Sequence, residues 1–152
     1  ANLDYMDIAR KEGGEVLCGG DRLTLLHDGF YMAPAVIAGT CNHWRINREE
    51  MFAPIACVIR AESYGEALAI SNDTEFGLTA GIMTRSLARA GDFRRRAETG
   101  VVMVNLPTAG TDYHVPFGGR GDSSYGPREQ GQYAVEFFTS TKTAYISTGP
   151  AS

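Results

Sequence analysis

Ile55-Ala56-Cys57-Val58-Ile59 is an unbroken apolar run between Pro54 and Arg60, and how it is read decides the fold. A strand apolar on both faces suits a parallel sheet covered on both sides. Working outward, Ser63-x-x-Glu66 has the spacing of a capping box, in which each side chain satisfies the other's free backbone N–H. Tyr64, Ala67 and Leu68 supply the inward stripe of the helix that follows. Leu78 to Met83 reads as strand, Leu87 to Ala97 as helix, and Val101-Val102-Met103-Val104 as strand again. This alternation predicts an α/β fold: an open, twisted, mainly parallel sheet with flanking helices, joined by right-handed crossovers, with function gathered at the strand ends.

Upstream, residues 3–12 carry Leu3, Tyr5, Ile8 and Ala9 at helical spacing, and Gly13-Gly14 supplies the stop. Glu15 to Cys18 reads as a brief strand. Phe30 to Ile37 is a second extended stretch, which Pro34 makes an edge or irregular strand. Downstream, Asn105 to Gly131 holds glycines 110, 118, 119, 121, 126 and 131 and prolines 107, 116 and 127. A loop of that length in a compact domain is usually functional when ordered. Phe137 to Ile146, alternating around Thr139, Thr141 and Thr143, reads as a final strand.

With 152 residues, 43% of them hydrophobic, the chain can build a core, and a net charge of −4 gives no reason to expect a nucleic-acid partner. Arg94-Arg95-Arg96 sits in a helical segment with Asp92 and Glu98 and is read as a solvated face. Cys18, Cys41 and Cys57 are odd in number and widely spaced, which fits a reduced, cytoplasmic setting. The histidines are equally scattered, so no metal site is assigned. No window reaches the roughly 18 apolar residues of a bilayer span, and the first residues lack a signal-peptide pattern, so a soluble, untargeted protein without a membrane partner is expected.

Catalytic signatures such as GxSxG, GxxxxGK[ST], HExxH and GxGxxG are missing. Arg120-Gly121-Asp122 spells an integrin-recognition tripeptide, which is read as chance. Glu49-Glu50-Met51-Phe52-Ala53-Pro54 lies just before the apolar strand, where an α/β sheet tends to place ligands. By itself a carboxylate pair is more often simply solvated.

The hexapeptide resembles the EE-[hydrophobic]-F-G-P signature of the aldehyde dehydrogenase superfamily. Other segments match that family in the same order. Ser71 to Gly81 is similar to its N-x-x-x-x-G-L-x-[AG] segment, and Gly100 to Asn105 to the strand leading into its substrate loop. Pro116-Phe117-Gly118-Gly119, with Gly126, Arg128, Glu129 and Gly131, resembles P-F-G-G … G-x-x-[RK]-E-x-G. Within the superfamily, NLPTAGTDYHVPFGGR and SSYGPREQG are most similar to α-ketoglutaric semialdehyde (2,5-dioxovalerate) dehydrogenases.

The resemblance implies NAD(P)-dependent oxidation of an aldehyde to an acid: a cysteine thiolate attacks, hydride leaves for the nicotinamide, and a glutamate-activated water releases the product. Glu50 would bind the nicotinamide ribose hydroxyls and Phe52 would restrict the nicotinamide ring. Phe117 and Asn105, with the 106–115 loop, would face the aldehyde. The cofactor is NAD or NADP, and most of its site belongs to a domain upstream of this region. No catalytic residue is expected here, because the G-Q-x-C context of the nucleophile and the segment of the general base are both missing. Residues 1–136 would then be part of the catalytic domain, and residues 137–152 an oligomerisation strand and tail. The expected partners are a small-molecule aldehyde and either a missing N-terminal half or a second copy. The competing expectation is a non-catalytic module that pairs with another aldehyde dehydrogenase subunit. Three departures from the family pattern stand out: Ala53 replaces the usual glycine and is expected to crowd the turn slightly, Gly121-Asp122 stands where a lysine and a small residue are common, and the chain is expected to be a truncation, which outweighs the other two.

Overall fold

The computed structural model describes residues 2–147 and Gly149. The chain divides into two compact units, one running to Glu75 and taking in Arg95–Ala97, the other comprising Phe76–Arg94 and the residues from Glu98 onward.

The first unit opens with α1 (Asn2–Glu12), whose inward face buries Met6 and Ala9 and whose last turn sets Arg10 and Lys11 against the negative end of the helix dipole. There follow β1 (Glu15–Cys18), β2 (Arg22–Leu23), β3 (Tyr31–Met32), β4 (Ala35–Ala38), α2 (Arg45–Arg48), β5 (Ile55–Cys57) and α3 (Tyr64–Asn72). β2 and β3 form a short hairpin, and the other strands a sheet ordered β1-β4-β5. β4 runs antiparallel to β1, with Val16 opposite Ile37, and parallel to β5, with Ile37 opposite Cys57. Met6, Ala9, Ala35, Ile37 and Ile46 form the core, with Trp44, Met51 and Cys57 packed against it.

Two expectations change here. Pro34 does interrupt its stretch, dividing it into β3 and β4 as the irregular reading expects, but the edge reading fails because β4 is the central strand. The proline stands one residue before the ladder, so its missing N–H removes no rung. β5, like β1, lies at a sheet edge, and cover on both of its faces is not found among the described residues. Ile55 and Cys57 are half-buried while Ala56 and Val58 are exposed, so an apolar run on both faces meets packing on only one.

Ser63 caps α3, its Oγ accepting the Glu66 N–H at 3.1 Å, whereas the Glu66 carboxylate reaches one residue further back, to the Glu62 N–H at 2.7 Å. Leu68 is the residue α3 buries; Tyr64 is half-buried and Ala67 exposed. Beyond α3, the Asp73 carboxylate accepts from Arg48 Nη2 and from Asn42 Nδ2, both at 2.7 Å, which ties the end of α3 to α2.

The second unit contains β6 (Phe76–Gly77), β7 (Thr79–Ile82), α4 (Leu87–Arg96) as far as Arg94, β8 (Val101–Val104), β9 (Arg120–Gly121) and α5 (Tyr133–Phe138). β7 and β8 pair in parallel from Thr79–Val101 to Ile82–Val104, with α4 as the crossover, as the alternation predicts. Arg94, Arg95 and Arg96 lie exposed on α4, as expected. β6 pairs antiparallel with β9. The α/β class and its parallel pairings hold, with the strands distributed over small sheets.

The strand expected over Phe137 to Ile146 is not formed. Phe137 and Phe138 end α5, and residues 139–147 carry no regular structure, because no strand among the described residues offers that stretch a ladder. The tail beyond Ser147 lies, Gly149 apart, outside the described residues.

Ile37 is fully buried in the central strand, so Ile37→Ala should cost about 2–5 kcal/mol, read as a lower urea midpoint with unchanged slope. An unaltered midpoint would refute the placement of this core.

Candidate functional site: the Glu49–Pro54 turn and the 105–131 loop

From Glu50 onward, the segment between α2 and β5 alternates exposed and half-buried residues. Met51 points into the core, whereas Glu50 and Phe52 are exposed, the Phe52 ring 87% so. Phe52 also has φ +47°, a left-handed conformation that costs an L-residue roughly 1–2 kcal/mol and persists only where its surroundings impose it. Ala53 keeps a negative φ, so the alanine is not strained by its backbone there; the strain falls on the residue before it.

The adjacent glutamates do different work. Glu49 accepts from Arg45 Nε at 2.7 Å and from the Tyr5 hydroxyl at 2.9 Å. The Arg45 guanidinium, and then the Tyr5 hydroxyl, hold its carboxyl below the usual carboxylate range. Glu50 makes no hydrogen bond or ion pair among the described residues and is exposed. A carboxylate with both oxygens free to accept, beside an aromatic ring turned to solvent, offers an acceptor for a ribose diol and a flat surface for a planar heterocycle.

Asn105 and Phe117 belong to the second unit. Asn105 has φ +55°; its Oδ1 accepts the Thr84 N–H at 2.8 Å and its Nδ2 donates to the Thr84 carbonyl at 2.9 Å. The amide thus adds a side-chain rung to the β7–β8 ladder and sets the direction of the loop that begins there. Phe117 is half-buried and exchanges backbone hydrogen bonds with Glu129 at 2.8 and 2.9 Å. The loop is ordered further by Ser123 Oγ accepting the Gly77 N–H at 3.0 Å, Ser124 Oγ accepting the Gly119 N–H at 2.7 Å, and the Arg128 guanidinium donating to the Gly119 carbonyl. Gly121, in place of the family's lysine, has φ +55°, where a lysine would be strained. At Gly131, with φ +54°, a Cβ would lie 2.6 Å from the His114 carbonyl oxygen.

Sequence reasoning missed two groups. Glu49's engagement had one local signal, the i,i+4 spacing of Arg45, but its other partner lies 44 residues away in α1. Gln130, with φ +64° and a buried Oε1 that has no partner among the described residues, gave no signal. Cavity shape does not single out the turn either. Cavities of about 580 and 420 Å³ lie along the β2–β3 hairpin, and neither is lined by Glu50 or Phe52. Among the described residues no group of three or more His, Cys, Asp or Glu is placed to hold a metal ion, and no helix is long and apolar enough to cross a membrane.

An α/β scaffold with these two segments is that of the aldehyde dehydrogenases, and the comparison with known proteins agrees: residues 2–144 match the Aldehyde dehydrogenase family. The chain belongs to that family. It is 37% identical over 146 residues to an alpha-ketoglutaric semialdehyde dehydrogenase of Bacillus subtilis, covering 95% of this chain and 30% of that protein. It is 38% identical over 148 residues to a betaine aldehyde dehydrogenase of Cereibacter sphaeroides, covering 97% and 30%. Its fold superposes on a Mycobacterium tuberculosis aldehyde dehydrogenase complexed with NAD+ at a TM-score of 0.86 and 31% identity, covering 99% of this chain and 30% of that one. The chain therefore spans about 30% of the length of the curated relatives it matches.

Cys57 is half-buried in β5, and burial pushes its thiol above the ordinary value, whereas Cys18 and Cys41 are exposed. A thiol reagent at pH 7.5 should therefore modify Cys18 and Cys41 well before Cys57, as peptide mass mapping would show; early labelling of Cys57 would contradict its packing.

Because Glu49's pKa is depressed by folding, its contribution to stability is present above the ordinary carboxylate value and is lost as pH falls through the depressed one. Glu49→Gln should accordingly melt below the parent chain at pH 7, and the gap should close in acid. A gap that stayed constant with pH would exclude the charge as its origin.

Proposed function

We propose that this chain supplies the ribose-binding carboxylate and part of the aldehyde-facing loop of an NAD(P)-dependent aldehyde dehydrogenase that oxidises an aldehyde to its carboxylic acid. The observation that carries this is the contrast between Glu49, spent on Tyr5 and Arg45, and Glu50, exposed and unengaged in the family's signature turn. Glu50 would accept hydrogen bonds from the ribose hydroxyls, and Phe52 would present its exposed ring to the nicotinamide. The dinucleotide, when bound, supplies the hydride acceptor. NAD is favoured by the NAD+ in a solved relative, with NADP the alternative.

Phe117 would line the aldehyde's path. Asn105 would contribute on the substrate side by fixing where the 106–115 loop departs, since its amide is already taken up by Thr84. α-Ketoglutaric semialdehyde is the proposed substrate, on the likeness of the 105–131 loop to the dehydrogenases of that aldehyde. The attacking sulfur would lie outside this chain: Cys57 is held in a sheet with a raised pKa, and neither Cys18 nor Cys41 has the sequence context of the nucleophile. Residues 139–147, with Tyr145 and Ile146 exposed, would take strand form only against a second polypeptide.

The test is reconstitution. The purified chain should reduce no NAD+ with α-ketoglutaric semialdehyde, and joining it to an upstream segment that bears the nucleophile should produce turnover, with betaine aldehyde a poorer substrate. In that enzyme Glu50→Gln should raise the dinucleotide KM about tenfold or more, the loss of a charge-assisted contact, and Phe52→Ala should also raise it. Turnover by the chain alone would defeat the proposal. Binding to an intact aldehyde dehydrogenase without supplying a site would favour an association module.

A further inference from the structure

The Glu49–Pro54 turn holds a conformation that its own sequence does not favour. Phe52 is not a glycine, and its ring is too exposed for packing to keep it at φ +47°. The restraint must therefore come from neighbouring elements. From inside, Met51 packs on the core, and downstream the Pro54 carbonyl accepts the Ala35 N–H at 2.8 Å. From the other side comes α1: Tyr5 donates to the Glu49 carboxylate at 2.9 Å and Asn2 Nδ2 to the Phe52 carbonyl at 3.4 Å.

Asn2 and Tyr5 are three residues apart and share a helix face. One grips the residue before Glu50, the other the carbonyl two residues after it. The same helix ends in Glu12, whose carboxylate accepts the Arg45 N–H at 2.7 Å and the Ile46 N–H at 3.3 Å and so caps α2, whose N-cap Trp44 offers no side-chain bond. The Arg45–Glu49 pair is an i,i+4 contact and ties α2 only to its own end. Tyr5 ties that pair to a different element, with the Arg45 guanidinium 6.0 Å from its ring centre.

We propose that Tyr5 is a positioning residue for dinucleotide binding: its hydroxyl, through Glu49, fixes the turn that presents Glu50 and Phe52. The functional half of this inference rests on Glu50 binding the ribose, whereas the restraint on the turn does not. Tyr5 touches no cofactor atom in this scheme. Its loss should loosen the presentation of Glu50 without disturbing the chemical step.

Tyr5→Phe keeps the ring that packs on the core and removes only the hydroxyl. In the 152-residue chain, hydrogen–deuterium exchange of residues 49–54 should accelerate while residues 35–38 in β4 stay as protected as before, which shows the fold intact. In the reconstituted enzyme the dinucleotide KM should rise roughly two- to tenfold with kcat nearly unchanged, as expected for one lost hydrogen bond acting on binding. Glu50→Gln serves as the reference. If it raises KM while Tyr5→Phe changes neither exchange nor KM, the positioning role is overturned and the ribose assignment stands. If Glu50→Gln leaves KM unchanged, the ribose assignment itself falls.

Discussion

β4 bonds along both of its edges, and that double pairing decides where the Glu49–Pro54 turn must end. One edge holds β1 and the other β5, while Ile37, between them, is fully buried against α1 and α2. Because Ala35 pairs with Ile55 and its N–H is spent on the Pro54 carbonyl, the entry into β5 is fixed to within a residue. Everything from Glu49 to Pro54 must then span from the end of α2 to that point, with Met51 drawn into the core. A left-handed Phe52 follows from a fixed path between fixed ends, and an exposed Glu50 follows from the alternation that Met51 imposes.

The same geometry separates two chemically identical neighbours. Glu49 is held by Tyr5 of α1 and Arg45 of α2, a phenol and a guanidinium that stabilise its ionised form; Glu50, one residue on, is exposed and bonds to neither. A carboxylate already accepting on both oxygens is held in one orientation with fewer lone pairs left for a diol, and one with no partner has all of its lone pairs available. What makes a solvated acidic pair into a candidate site is therefore the partner that one member has found inside the protein.

Much of this was legible in the sequence because it is local. The capping residue Ser63, the β7–α4–β8 alternation and the bounds of β1 and β8 are written in propensity and period. The hexapeptide and the P-F-G-G stretch were legible as family motifs. What failed was non-local. The position of β4 in its sheet and the open face of β5 depend on partners, and an apolar run reports only that it can be covered. The Phe137–Ile146 stretch failed for the same reason, since alternating threonines do not make a strand without a neighbour. The turn stands just before β5, where the sequence places it, and the partner that engages its first carboxylate comes from α1. Tyr5 was out of reach altogether, since a hydrogen bond across 44 residues leaves no periodic trace.

The chain's single tryptophan, Trp44, packs against the core of the first unit, its ring 3.5 Å from where a Cβ on Gly13 would lie. Its emission is thus an internal reporter of the first unit's core, at the junction of α1 and α2. Circular dichroism records the backbone of both halves at once. Superposing the two melting traces would reveal whether the polypeptide comes apart as one cooperative body or in separate stages, with no label attached.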